Sequence, residues 1–100
     1  YNFSRYMLHQ DYQNLIREIV NKYVSKNAKI FVFGSSVRSD RFKDIDIGIQ
    51  NTEASEASLA KAKEELEESI LPYKVDIIDF SKVEEDFKKQ VFKDKILWLT

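Results

Sequence analysis

The chain has 100 residues, 43% of them hydrophobic and 33% charged, which supports one compact domain and excludes a disordered segment. Sixteen basic and seventeen acidic side chains give a net charge of −1, so no overall field attracts nucleic acid or an anionic membrane. The lack of cysteine excludes disulfides and thiolate metal sites. No apolar run approaches the roughly 20 residues that cross a bilayer. We therefore expect a cytoplasmic protein without a membrane segment.

The first half of the chain predicts a helix followed by two strands. Apolar residues spaced three and four apart indicate an amphipathic helix over residues 11–24. Residues 28–33 are β-branched and aromatic and end at Gly34, as expected of a buried strand. The polar residues 35–43 leave room for about two helical turns. Residues 44–49 then alternate strictly, which predicts a strand with one isoleucine face.

The second half predicts a helix, a strand and a further helix. Residues 53–70 are rich in Ala, Glu, Lys and Leu, which indicates a solvated helix with a thin apolar stripe. One turn apart on this helix, Lys61 is expected to meet Glu65. Lys63 is expected to meet Glu67 in the same way.

Residues 73–80 predict a third strand. The next four residues, Ser81 to Glu84, match a capping box at the start of the last helix. The apolar residues 96–99 are too short to distinguish helix from strand, and Trp98 among them suits either a core contact or an interface.

The element order favours a small α/β sheet with helices on at least one face. The two strands joined by residues 35–43 can pair in either direction on this information. With so few strands, one face of the sheet is expected to stay open for a site or a partner. We expect residues 1–100 to form a single domain, with residues 1–8 flexible or derived from a tag.

Carboxylates occupy unusual positions in two of the predicted strands. Asp44 and Asp46 lie about 7 Å apart on the polar face of the second strand. Asp76 is flanked by apolar residues on the third strand, and its side chain faces away from Val75 and Ile77. Aspartate is uncommon in β-strands, and two neighbouring carboxylates repel each other unless a cation lies between them. A solvated edge strand explains the Asp-x-Asp pair equally well when that pair is taken alone.

Gly34 and Ser35 leave the first strand where a helix is expected to begin. Such a turn directs free N–H groups outward, glycine permits close approach, and the serine hydroxyl adds a donor, all of which suit a phosphate. For an isolated Gly-Ser, an ordinary turn with a serine N-cap is the simpler interpretation. Beside three carboxylates on adjacent strands, however, the turn predicts a two-metal site for phosphoryl or nucleotidyl transfer.

Residues 30–80 resemble an MNT-type minimal nucleotidyltransferase of the DNA polymerase beta superfamily. The resemblance lies in Phe-Val-Phe-Gly-Ser at 31–35, Val-Arg at 37–38, Asp-Ile-Asp-Ile at 44–47 and Val-Asp-Ile at 75–77. It implies the polymerase-beta-type fold, with a mixed sheet of three to four strands flanked by helices. The eight residues between Ser35 and Asp44 are fewer than is usual in the family.

The resemblance also implies a role for each site residue. Nucleotide binding falls on Gly34, Ser35 and Arg38, with Arg38 contacting a phosphate of the nucleoside triphosphate. Catalysis and the binding of two Mg²⁺ ions fall on Asp44, Asp46 and Asp76, the third of which also favours deprotonation of the attacking hydroxyl.

The implied function is the Mg²⁺-dependent transfer of a nucleoside monophosphate, AMP from ATP, to a protein or small-molecule hydroxyl. The implied partner is an all-helical HEPN-type protein, for which the chain serves as the antitoxin of a toxin–antitoxin pair. The alternative is a catalytically silent subunit that neutralises its partner by contact alone. A nucleic-acid substrate is not expected, because Lys88 and Lys89 form only a small basic cluster. The sequence leaves homo-oligomerisation open.

Overall fold

The computed structural model describes residues 8–39 and 41–100, in which helices and strands alternate. In chain order the elements are α1 (Gln10–Asn21), β1 (Lys29–Phe33), α2 (Ser35–Arg38), β2 (Asp44–Gln50), α3 (Glu56–Glu68), β3 (Lys74–Asp79), α4 (Glu85–Lys93) and β4 (Leu97–Trp98). The predicted elements are thus confirmed, with ends shifted by at most a few residues, and the apolar C-terminal segment is a strand. No helix in these two ranges is both long enough and apolar enough to span a membrane.

The expectation of a flexible or tag-derived N-terminus concerns mostly residues 1–7, which lie outside the described ranges. Leu8 does not follow that expectation, since it is buried in the core and its carbonyl accepts a hydrogen bond from Gln13 Nε2 at 2.8 Å. His9 is the N-cap of α1, and its Nδ1 accepts a hydrogen bond from the backbone N–H of Asp11. The fold is therefore anchored from Leu8 onward.

The four strands form one mixed sheet in the order β3-β2-β1-β4. β1 pairs antiparallel with both β2 and β4, whereas β2 and β3 are parallel. The direction of the β1–β2 pair, open from sequence, follows from the connection between them. That connection is short, whereas a parallel crossover needs about a dozen residues or more, and the segment with α3 that joins the parallel strands β2 and β3 is long enough.

One face of the sheet carries the larger core. Residues that point to this face alternate along every strand and pack against α1 and α3: Ile30, Val32, Ile45, Ile47, Ile49, Val75, Leu97 and Leu99. Helix α1 supplies Ile16 and Val20, both fully buried, in line with its predicted apolar stripe. This core holds the strands in the register that sets the positions of their polar residues.

The opposite face is divided between aromatic packing and carboxylates. Phe31, Phe33 and Phe80 form a second buried cluster, against which Val91 and Phe92 of the α4 region pack. The expectation of an open face holds only for the remaining part, where the site aspartates lie. Asp44 and Asp76 are exposed there, and Asp46 is partly buried.

Gly48 lies on this face directly beneath the ring of Phe31. A Cβ at Gly48 would lie 2.2 Å from Phe31 Cζ, so the position has no room for a side chain. We expect Gly48→Ala to lower the free energy of unfolding by about 1–3 kcal/mol through overpacking. Chemical denaturation measures this loss, and Phe31→Leu in the same chain should recover part of it. A Gly48→Ala variant as stable as the wild type would contradict the packing.

Charged residues on α3 reach neighbouring elements instead of each other. The predicted pair of Lys61 and Glu65 is wrong, because Glu65 accepts hydrogen bonds from Lys22 Nζ and from Tyr23 Oη at 2.6 Å. These two bonds, that of Lys22 first, lower the pKa of Glu65 below its ordinary value of 4.5. They join the end of α1 to α3 across the surface.

The predicted capping box after β3 is also wrong. Helix α4 begins at Glu85, with Glu84 as its N-cap and no side-chain cap bond. The Ser81 hydroxyl instead donates to Asp79 Oδ1 at 2.6 Å, and the same oxygen accepts from the Ser81 backbone N–H. Because the aspartate closes a local turn with Ser81, the serine is not available to cap the helix.

Candidate active site

Asp44, Asp46 and Asp76 share one face of two adjacent parallel strands. In the register of β2 and β3, Asp46 pairs with Asp76 and Asp44 pairs with Lys74. Neighbouring strands lie about 4.8 Å apart, so the carboxylates of Asp46 and Asp76 project side by side. The side chains that the sequence assigned to one site are therefore neighbours in the fold. Only the pairing of β2 with β3 brings Asp76 to the other two.

The electrostatics of Asp46 reflect this crowding. Burial raises the pKa of Asp46 above its ordinary value, and the nearby charges of Asp76 and Asp44 raise it further. Asp46 is thus close to two like charges and has no ion-pair partner among the described residues. Such an arrangement costs stability in the free protein, and a cation among the carboxylates would relieve it.

Gly34 forms the turn between β1 and α2 and faces Asp46. Its backbone angles, φ 83° and ψ −154°, fall in a region that is essentially restricted to glycine. A Cβ at Gly34 would lie 2.6 Å from Asp46 Oδ2. The turn predicted to bind phosphate therefore directly adjoins the carboxylates, because Phe33, the last residue of β1, pairs with Asp46.

The two serines after this glycine have different surroundings. Ser35 is exposed at the first position of α2, where its hydroxyl is accessible to a ligand. Ser36 is buried, and its Oγ has no hydrogen-bond partner within the described ranges. Sequence reasoning selected Ser35, the more exposed of the two, and its role in nucleotide binding stays a prediction.

Arg38 lies close to the same turn but already has a partner. Its Nη1 is 3.6 Å from Asp94 Oδ2, and both side chains are more than half exposed. Arg38 and Asp94 line a recess of about 210 Å³ together with Phe33, Gly34, Phe87, Gln90 and Val91. Asp94 was not predicted as a site residue, because nothing in the sequence indicates that the end of α4 lies beside Gly34.

Lys63 is a second residue that sequence reasoning did not place in the site. The predicted pairing of Lys63 with Glu67 is wrong, since Lys63 Nζ lies 3.4 Å from Asp76 Oδ1. Glu67 accepts instead from the backbone N–H of Val75. Lys63 also lines a recess of about 430 Å³, which runs between α3 and β3.

The residues present suit magnesium chemically. Within residues 8–39 and 41–100, no three acidic or histidine side chains converge closely enough to form a ready-made metal cluster. The donors of the site are nevertheless hard carboxylate oxygens, which Mg²⁺ prefers, and the carboxylate of Asp46 is destabilised by its neighbours. The lack of a side chain at Gly34 lets the backbone of the turn approach these oxygens closely, since a Cβ there would lie 2.6 Å from Asp46 Oδ2.

A mixed four-stranded sheet with a glycine turn against carboxylates on adjacent strands defines a nucleotidyltransferase-type domain. The family model described as "Polymerase beta, Nucleotidyltransferase" matches residues 14–99, and the chain belongs to this family. The predicted fold class and the predicted class of enzyme are thereby confirmed. No curated protein matches the chain in sequence.

Solved structures of toxin–antitoxin complexes share the fold. One is a tri-AMPylated HEPN toxin from Shewanella oneidensis in complex with an MNT antitoxin, with 21% identity and a TM-score of 0.73 over 93% of this chain and 72% of that chain. A second is a mutant of the toxin–antitoxin MntA–HpeT, with 20% identity and a TM-score of 0.74 over 88% and 71% of the two chains. A third is a toxin–antitoxin with AMP-PNP, with 21% identity and a TM-score of 0.74 over 88% and 72%.

Proposed function

We propose that the protein is a Mg²⁺-dependent nucleotidyltransferase that moves AMP from ATP to a hydroxyl of a protein partner. It acts in the cytoplasm as the antitoxin of a toxin–antitoxin pair, and its partner is a helical HEPN-type protein. The observation that carries the proposal is the close approach of the Gly34 turn to Asp46, since it places that turn and the exposed Ser35 beside a carboxylate face. Transfer of a nucleotide requires both features at one place.

Each residue has a role in this reaction. Gly34 and Ser35 hold the triphosphate through backbone N–H groups and a hydroxyl, and Arg38 neutralises phosphate charge. Asp44, Asp46 and Asp76 would hold two Mg²⁺ ions. When bound, the metal neutralises charge on the phosphates and makes the attacking hydroxyl more acidic. The acceptor oxygen forms its bond to the α-phosphorus, pyrophosphate leaves, and Asp76, at the open edge, receives the hydroxyl proton.

Two of the similar structures support the nucleotide and the type of partner. One contains a HEPN toxin described as tri-AMPylated, together with its MNT antitoxin. Another contains AMP-PNP. Together with the family assignment, these favour an adenine nucleotide as the donor and a HEPN-type protein as the acceptor.

The test is transfer of label from α-labelled ATP to a candidate HEPN-type partner protein, in the presence of Mg²⁺. We expect labelling by the wild type and none by the variant Asp44→Ala with Asp46→Ala. Asp79→Asn is the matched control, because Asp79 also lies on β3 but faces the other side of the sheet from Asp76. Chelation of Mg²⁺ by EDTA should stop labelling. Transfer that survives loss of both aspartates would contradict the proposed site.

A second function, a silent subunit that neutralises its partner by contact, is favoured by the ion pair that already engages Asp76. Co-purification of the partner and relief of its toxicity separate the two functions. For the silent subunit, the doubly substituted variant binds and neutralises as well as the wild type. For the transferase, it binds but no longer neutralises.

A further inference from the structure

Among the residues that the structure describes, Lys63 forms an ion pair with a carboxylate of the candidate site. Its Nζ reaches Asp76 Oδ1 from the neighbouring helix α3 at 3.4 Å. Asp44 and Asp46 have no ion-pair partner among the described residues. Within the described part of the chain, Asp76 is therefore the one site carboxylate that has an ion-pair partner.

The position of Lys63 is set by the packing of α3 on β3. Lys63 lies one position after the buried Ala62, at the edge of the helix face that contacts the sheet. Its side chain also lines the recess of about 430 Å³ beside β3. The ammonium group thus has open volume to move into when it leaves Asp76.

The ion pair is accessible to solvent at both ends. The side chain of Lys63 is 42% exposed and that of Asp76 is 64% exposed. Exposed pairs of this kind are weak, so the lysine can be displaced by a divalent cation without loss of the fold. The two cations still compete, because the positive charge of Lys63 on Oδ1 repels a metal ion that approaches the same carboxylate.

We propose that Lys63 is a positioning residue that occupies Asp76 in the metal-free protein and competes with the divalent cation for it. This inference rests on the proposed function, because it takes Asp76 as a metal ligand. Lys63 keeps the third carboxylate ordered and neutralised until metal binds, and it raises the metal concentration at which Asp76 joins the site. Metal binding releases the lysine toward the recess.

The test is a calorimetric titration of the folded protein with MnCl₂ in the absence of nucleotide and partner. We expect Lys63→Met to bind Mn²⁺ about two- to fivefold more tightly than the wild type, which is the range that an exposed ion pair allows. Lys61→Met is the matched control, because it removes the same charge from α3 but lines a different recess, beside Glu64 and Glu68. Its affinity should stay at the wild-type value.

A double-mutant cycle identifies the carboxylate involved. In an Asp76→Asn background, the change from Lys63 to Met should no longer alter Mn²⁺ affinity. Equal or weaker Mn²⁺ binding by Lys63→Met, or an effect that persists in the Asp76→Asn background, would overturn the inference alone. Absence of Mn²⁺ binding by every variant would overturn it together with the proposed metal site. If Lys63→Met binds Mn²⁺ more tightly but the wild type transfers no AMP to its partner, only the proposed function is overturned.

Discussion

Asp46→Asn is expected to abolish nucleotide transfer and, in the metal-free protein, to increase stability. Asp46 is the central carboxylate, in register with Asp76 and beside Gly34. Its amide replacement cannot provide the charged oxygen on which the metal site depends. Because metal assistance contributes several kcal/mol to a transition state, we expect the transfer rate to fall at least about a hundredfold.

The expected gain in stability of the metal-free protein on Asp46→Asn has an electrostatic cause. Burial and the neighbouring aspartates raise the pKa of Asp46, so its charge disfavours the folded state at neutral pH. A neutral side chain removes this cost, which for adjacent like charges is about 0.2–1 kcal/mol, or a few degrees in Tm. The difference should be present at pH 7 in EDTA and should shrink as pH falls through the pKa of Asp46, where the wild type also becomes neutral.

Differential scanning calorimetry in EDTA and the α-labelled ATP assay measure the two effects on the same preparations. Asp79→Asn again serves as the control, and we expect it to retain transfer. An Asp46→Asn variant that is less stable than the wild type in EDTA would show that the Asp46 carboxylate stabilises the metal-free fold, contrary to the expected repulsion.

Gly34→Ala is expected to impair both folding and transfer. Alanine at φ 83° and ψ −154° is strained by about 1–3 kcal/mol, whatever space surrounds it. Its Cβ would in addition meet Asp46 Oδ2 at 2.6 Å. The carboxylate must then move away from the position that it holds in the wild type.

Chemical denaturation and Mn²⁺ titration separate these two consequences. The strain should lower the free energy of unfolding, and the displaced carboxylate should weaken Mn²⁺ binding. Combining Gly34→Ala with Asp46→Ala relieves the collision but not the backbone strain, so the combined variant should remain less stable than Asp46→Ala alone. Gly34→Ala with wild-type stability and wild-type metal affinity would contradict the geometry of the turn.

The accuracy of the predictions from sequence differs between elements for physical reasons. The alternation of isoleucine with aspartate on β2 was enough to place Asp44 and Asp46 on one face, because side chains in a strand alternate regardless of context. The position of Gly34 at the end of a strand was enough to predict the turn that follows β1. In contrast, the contacts expected along α3 were wrong, because Lys63 and Glu65 each had a better partner on another element.

Local sequence was sufficient to predict an α/β fold, the face on which Asp44 and Asp46 lie and a glycine turn at the end of β1, since all three follow from periodicity and backbone chemistry. Three other features became evident only in the folded chain: β1 and β2 are antiparallel, Asp76 lies in register with Asp46, and Lys63 and Asp94 reach the site. These features depend on how helices dock and strands pair over long separations. A sequence pattern within one segment does not determine which distant segment will lie beside it.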